Sequence, residues 1–389
     1  DYGSIVLFAA EQPGFDPATA DALNVDGNTF TDTSADLYYS DATDAADLNA
    51  VVSNNTFEPN VVVGNTAITR PPNSGEVLNV DQGTSFDSIQ NAVDSATAGN
   101  TITVGSGTFN ESVTIDVEGL TLKGADGASS TIIGQDSVAV TSTAPNVEIA
   151  DLRIENPDGS RAVRVTDDAT DVVIQDNTIT NINTDNDATQ PRGILVIGLD
   201  GGDSADGLEI RNNTVDTVRG TGGNADQTIG IQILEESNGG GLIENVVVDG
   251  NTVTDLLDNR SSQGINFNGN IKGDITNNSI STLNTDRPDT DLGFTQGIAL
   301  NKGDNAASAP QNVNISGNSI SNLDDQTPSS ESFRATHIIL SSVDDVGTID
   351  ITNNEFTAVA SDENYILDRA AADFDLQGAL GANTFTPSA

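Results

Sequence analysis

One short phrase recurs along most of this chain: β-favouring residues, an Asn, then β-favouring residues again. It stands as VVIQDNTI from Val172 to Ile179, LEIRNNTV from Leu208 to Val215, and VVVDGNTV from Val246 to Val253. It returns as GDITNNSI from Gly273 to Ile280, VNISGNSI from Val313 to Ile320 and IDITNNEF from Ile349 to Phe356. A unit of this length cannot bury its apolar face alone, so successive copies must stack. Strand, sharp corner and strand, stacked in phase, make a parallel β-helix. Asn suits the corner because it tolerates the left-handed backbone region, and its side chain can bond the backbone or a stacked Asn.

Each full repeat carries a second strand type: GILVI (Gly193 to Ile197), GIQIL (Gly230 to Leu234), GINF (Gly264 to Phe267), GIAL (Gly297 to Leu300) and HIIL (His337 to Leu340). One coil is therefore strand, Asn corner, strand, polar loop, strand, polar loop, with alternate side chains pointing inward. Less regular coils pass through Leu120 to Leu122, Val147 to Ile149 and Ala162 to Val165. Together they make about nine coils, a rod of about 45 Å at ~4.8 Å per strand. The expected fold is all-β, a right-handed single-stranded parallel β-helix over residues 76–389.

The front of the rod has its own signature. In FDSIQNAVDSATAGN, Phe86, Ile89, Val93 and Ala96 follow helical spacing, and Gly99 lies beyond the end. This predicts an N-terminal cap helix near Phe86 to Ala96. Thr101 to Val104, the turn Gly107-Thr108-Phe109-Asn110-Glu111 and Val113 to Ile115 follow. From Ser85 to about Gly134 the run resembles the opening coil of pectinesterase-like members of the right-handed β-helix, or pectin lyase-like, superfamily. The acidic chain as a whole resembles a haloarchaeal-type secreted surface protein. The resemblance implies the fold and leaves the activity open, because this fold hosts lyases, hydrolases, adhesins and inert fibres.

Residues 1–60 read as a second copy of the C-terminal coils. Ile5 to Leu7 parallels Ile338 to Leu340, Asn28-Thr29-Phe30 parallels Asn354-Glu355-Phe356, and Asn55-Thr56-Phe57 parallels Asn383-Thr384-Phe385. The expected division is a partial β-helix segment over 1–60, a linker over 61–75 and the rod over 76–389. A coil and a half cannot bury its own core. Its inward-type residues Ile5, Leu7, Val25, Phe30, Val51 and Phe57 are thus expected to stack on something else. That is either a neighbouring copy, giving a head-to-tail homopolymer, or an adjacent β-helix domain. The chain starts at Asp1 and is read as a processed product or an excerpt.

Charge narrows the partners. There are 59 Asp+Glu against 14 Lys+Arg, a net charge of -45. Nucleic acid is disfavoured, since phosphate binding needs Lys and Arg. No apolar run approaches the ~20 residues of a spanning helix, so direct membrane insertion is not expected. Acidic bias often means disorder, but the regular Val/Ile/Leu repeats argue against it. The charge reads instead as adaptation to molar salt, where the Debye length is roughly 3 Å and self-repulsion fades. An archaeal extreme halophile and an extracellular, cell-surface location are the expectation. With no Cys, a disulfide framework and thiolate metal sites are excluded.

Chemistry is harder to find. The resemblance would imply Asp clusters with an Arg base, Asp residues with a His, or an Asp pair with two Gln. This chain matches only the Gly107 to Glu111 turn and has no Trp. No catalytic residue is assigned, and the chain is expected not to be an enzyme. His337, the single His, stands where sister coils have Gly and reads as a strand-start residue. The loops before the Gly-Ile strands should stack on one face, bringing Arg192, Arg219, Arg260, Arg287 and Arg334 beside Asp226, Asp258 and Asp289. This column is either a cleft for an anionic sugar or Ca²⁺, or, more simply, surface ion pairing worth ~0–1 kcal/mol per pair. No cofactor or metal is expected, Ca²⁺ in acidic loops being the one alternative. Asn259 and Asn110 are the best placed of the glycosylation sequons.

The expected function follows. The chain reads as an extracellular structural protein, a subunit of a head-to-tail surface filament or of a tandem β-helix stalk. The alternative is a polysaccharide lyase or hydrolase, or a glycan-binding adhesin, acting on acidic sugars.

Overall fold

The computed structural model describes residues 5–7, 29–30, 36–39, 56–57 and 62–64, and then 72–387 except 126–128, 167–168, 185–189, 199–204, 221–226, 236–240, 286–293, 303–308, 326–334, 342–347, 359–363 and 370–375. Three sheets run along a right-handed parallel β-helix, with nine, ten and eleven strands among the described residues. One coil passes through Glu209–Arg211, Thr214–Gly220 and Thr228–Glu235 in turn. Each strand pairs in parallel with its equivalent one coil on: Ile210 with Val248, Val215 with Val253, Ile231 with Ile265. The register stacks like on like. Ile174, Ile210, Val248, Ile275, Ile315 and Ile351 form one inward column, none more than 2% exposed. Burying each such side chain contributes ~1.5–3 kcal/mol, and slipping any strand by one residue would turn its column outward.

The corner divides its work between two residues, where the repeat had suggested one. The first takes the left-handed conformation: Asp176 (φ 55), Asn212 (φ 54), Asn277 (φ 56) and Asn353 (φ 58), with Gly250 and Gly317 at φ 68 and 71. Only Gly, Asn and Asp do this cheaply. The second points inward and is buried: Asn177, Asn213, Asn251, Asn278, Asn318 and Asn354 are at most 1% exposed. A second left-handed position bends the strands of the ten-stranded sheet at Asn181, Thr217, Asp255, Thr282 and Asn322, which the sequence pattern did not announce.

The front is closed as expected. A helix over Ile89–Asp94 is capped by Ser88 and buries Ile89, Ala92 and Val93 completely. The acid of the GTFNE turn has a structural role: Glu111 accepts from Ile89 N at 2.8 Å, Gln90 N at 3.0 Å and Ser88 Oγ at 2.9 Å. A carboxylate suits the helix start, where backbone N–H groups lack partners. A hairpin of Val77–Asn79 and Thr84–Phe86 pairs antiparallel against Thr101–Val104.

At the other end, Asn364–Arg369 and Thr384–Thr386 form the last described rung. Tyr365, Ile366 and Phe385 there are only partly buried against the core. Phe356, Tyr365 and Phe385 sit within an aromatic cluster, with ring centroids 5.0 to 6.3 Å apart. Toward the N-terminus, Ile5–Leu7, Asp36–Tyr39 and Val62–Gly64 pair in parallel, and so do Thr29–Phe30 and Thr56–Phe57. Their registers repeat those of the last coils: Ile5 with Leu37 as Ile338 with Ile366, and Phe30 with Phe57 as Phe356 with Phe385. These strands form sheets separate from the three sheets of the rod. Val62–Gly64 lies where a linker was expected. Val25 and Val51 fall outside the described residues.

Candidate functional site

The nine-stranded sheet has an unusual outer face. Along Thr228–Glu235, Ile231 and Ile233 belong to the core, so Gln232 between them points away from it. Pairing then places Arg164, Leu195, Gln232, Asn266 and Ala299 in one outward column. Arg161, Arg192, Ile229, Gln263 and Gln296 form a second. Outward polar residues are normally wet, yet Arg192, Gln263 and Asn266 are each 2% exposed.

Buried polar groups must find partners, and these form a chain. Arg192 Nε donates to Gln232 Oε1 at 2.6 Å, and its Nη1 donates to the carbonyls of Pro191 (2.9 Å) and Gln227 (2.6 Å). Its Nη2 donates to Gln190 Oε1 at 2.5 Å. Further along, Asn266 Nδ2 donates to Gln263 Oε1 at 2.6 Å, and Gln263 Nε2 to Gln296 Oε1 at 2.9 Å. Polar atoms buried here without a partner include Arg161 Nε, Arg164 Nε and Asn266 Oδ1.

Burial, then the neighbouring Arg161, pulls Arg192 down to about 9, with Asp258 opposing. Arg192 therefore still carries its charge at neutral pH. Asp258 is fully buried and pushed up to about 6 by that burial. Its carboxyl accepts from Thr228 Oγ1 at 2.7 Å, Arg260 N at 2.6 Å and Ser261 N at 3.0 Å, and Arg192 favours its ionised form.

The structure thus brings Arg192 and Asp258 near each other, with Arg260 next to Asp258. Arg219 is in the ten-stranded sheet and pairs with Asp255 at 2.5 Å. Arg260 is an exposed turn residue beside Asp258. Arg287, Arg334, Asp226 and Asp289 fall outside the described residues. Sequence reasoning missed Arg161, Arg164, Gln232, Gln263, Gln296 and Asn266. The available signal was a polar residue set between inward apolar ones, as in GIQIL and QGINF.

His337 is fully buried, with ring nitrogens 3.2 Å from Asn364 O and 3.3 Å from Thr357 O. Burial lowers its pKa. It stacks near Phe356 and Tyr365, with centroids 5.6 and 5.3 Å away, so it packs as part of the core. The sister coils need Gly here. A Cβ on Gly193, Gly230, Gly264 or Gly297 would lie 2.5 to 2.7 Å from the carbonyl oxygen of the next coil. Asn110 is exposed and Asn259 half-buried. Among the described residues, no group of three or more His, Cys, Asp or Glu is placed to hold a metal ion.

Three sheets stacked in parallel register and joined at an Asn corner are the architecture of a parallel β-helix. No protein-family profile matches the chain, and no curated protein matches it. Among solved structures it is similar to a pectin methylesterase mutant in complex with a hexasaccharide, at 16% identity and a TM-score of 0.28, over 70% of this chain and 89% of that one. It is also similar to a PL6 family alginate lyase mutant, at 13% identity and a TM-score of 0.22, over 72% of this chain and 51% of that one. Likeness at this level concerns the fold alone.

Proposed function

We propose that this chain is a non-catalytic structural unit of a head-to-tail surface filament or tandem β-helix stalk, working outside the cell of a halophile. One observation carries the reading: the strands near the N-terminus repeat the pairing registers of the last coils, Phe30 with Phe57 as Phe356 with Phe385. Coils of one geometry stack on one another. The front is occupied by its cap helix, while the last described rung holds Tyr365, Ile366 and Phe385 only partly buried. A further rung of the same geometry, from a neighbouring copy or an adjacent domain, would complete their burial. The net charge of -45 fits a surface bathed in concentrated salt.

Electron microscopy and sedimentation of the full chain in molar salt test this. Rods joined end to end, shortened by Phe385→Asp, are the expected result. Single short rods at every concentration would overturn it.

A second reading has its own support. The outer face of the nine-stranded sheet, with Arg192, Gln232, Gln263 and Asn266 held in place, suits a glycan-binding adhesin, or a lyase or hydrolase of acidic polysaccharides. Turnover of a polyuronate would favour the enzyme.

A further inference from the structure

We infer that Arg161, Arg164 and Arg192 form a binding site for an oxyanion, the carboxylate or sulfate group of an anionic ligand lying on the outer face of the nine-stranded sheet. This inference does not depend on end-to-end stacking.

The first observation is adjacency. Arg161 and Arg192 are register partners on neighbouring strands, and Arg164 is the next outward residue along the strand of Arg161. Each of the first two feels the positive charge of a neighbour: Arg161 that of Arg164, and Arg192 that of Arg161. Three like charges gathered on one patch repel one another, and a bound anion would relieve that repulsion.

The second is the lack of a direct ion pair where carboxylates are abundant, Asp258 acting on Arg192 only through space. Carboxylates outnumber Lys and Arg 59 to 14 in this chain. Arg153, Arg219 and Lys272 each pair with one, and Arg211 with two. Among the described residues, Arg161, Arg164 and Arg192 form no ion pair. Among the described residues, then, a very acidic chain brings three guanidiniums together with no carboxylate in contact.

The third is unused hydrogen-bonding capacity. Arg161 Nε and Arg164 Nε are buried donors with no acceptor. Such groups are costly to leave unmade, and an oxyanion with several lone pairs answers both. Arg161 Nη1 is tied to Ser160 Oγ at 3.0 Å, and Arg192 is fixed by bonds from all three of its nitrogens. The Arg192 guanidinium is therefore held in position, and it has little side-chain entropy left to lose on binding. Next to them the column Gln232 and Asn266, with Asn266 Oδ1 also lacking a partner, offers neutral contacts for the uncharged remainder of the ligand.

The test is calorimetric titration of the full chain with sodium sulfate, sodium glucuronate and glucose, in sodium chloride at constant ionic strength. Saturable binding of sulfate or glucuronate, but not glucose, is expected, and which of the two binds identifies the group recognised. Arg161→Gln and Arg164→Gln should each weaken it at least tenfold, Arg164→Lys should weaken it less, and Arg153→Gln should leave it unchanged. Sulfate also stabilises proteins generally by exclusion, so circular dichroism of each variant under the same salts establishes folding independently. No saturable binding of either anion, or equal affinity in a folded Arg161→Gln/Arg164→Gln double variant, overturns the proposal.

Discussion

Asn213 donates from Nδ2 to Oδ1 of Asn251 at 3.0 Å, one coil further along the rod, and Asn251 makes the same bond to Asn278 at 3.0 Å. The relay runs from Asn177 to Asn383. Each Oδ1 also accepts from the backbone N of the previous Asn, as Asn251 Oδ1 does from Asn213 N at 2.9 Å. Each Nδ2 reaches back to an earlier carbonyl, as Asn251 does to Ile210 O at 2.8 Å. A buried row of amides that bond only in phase fixes the coil register more sharply than apolar columns, which tolerate exchange of Val for Ile.

Asn251→Ala should therefore be among the most destabilising polar substitutions in the rod. It removes the Asn251 donor to Ile210 O and Asn278 Oδ1, leaves Asn213 N without its acceptor, and leaves Asn213 Nδ2 only the carbonyls of Ile174 and Arg211. At about 1–3 kcal/mol for each buried group left unmade, a loss of about 3–5 kcal/mol is expected in denaturant unfolding. A loss below about 1 kcal/mol would mean that water replaces the ladder at no great cost.

Glycine substitutions should separate two environments. A Cβ on Gly230 would lie 2.4 Å from Val253 Cγ1 and 2.7 Å from Gly264 O, with backbone on one side that cannot step aside. Gly230→Ala should cost about 2–3 kcal/mol through overpacking. Gly381, in the helix Leu376–Ala382, has open space around it, so Gly381→Ala should gain about 0.5–1 kcal/mol. Thermal midpoints moving in the same direction for both variants would contradict this contrast.

The backbone course of the rod was legible because its causes repeat. The Asn pair, the Gly-Ile start and the inward Val/Ile/Leu columns recur coil after coil. The outer face was not, because its side chains share a position without sharing a type: Arg161, Arg192, Ile229, Gln263 and Gln296 follow one another in one column. Nor could sequence order show that Arg219 turns onto another sheet to meet Asp255, since the loops before the Gly-Ile strands differ in length. Glu111 was visible only as part of a motif, and its bonds to the cap helix give the physical reason for it.

Asp258 should make the fold weaken as pH rises through mild acid. Its folded pKa stands at about 6, above the ordinary 3.8, so the folded state holds the proton more tightly than the unfolded state. Its contribution is complete below pH 3.8 and is lost as the pH passes 6. A shift of that size corresponds to roughly 2–3 kcal/mol. Asp258→Asn keeps an acceptor for Arg260 N and Ser261 N and offers Thr228 Oγ1 a donor, so it mimics the protonated acid. Its stability relative to wild type should rise across this window in urea melts at stepped pH. A constant difference from pH 4 to 7 would show that Asp258 ionises as freely in the fold as outside it.

The acidic surface should make folding depend on salt. The rod's described ion pairs, Arg153 with Glu155, Arg211 with Glu209 and Asp249, Arg219 with Asp255 and Lys272 with Glu244, are all partly exposed and contribute little individually. They cannot offset a net charge of -45. At ~10 mM salt the Debye length is about 30 Å, and each carboxylate then feels many others. In molar salt, at roughly 3 Å, it feels only its contacts. The β-type circular dichroism spectrum should therefore fade on dialysis into dilute buffer and return as sodium or potassium chloride is restored. Because screening alone drives the change, the two salts should act alike at equal concentration. A spectrum unchanged in dilute buffer would mean that the buried columns and the Asn ladder outweigh the repulsion unaided.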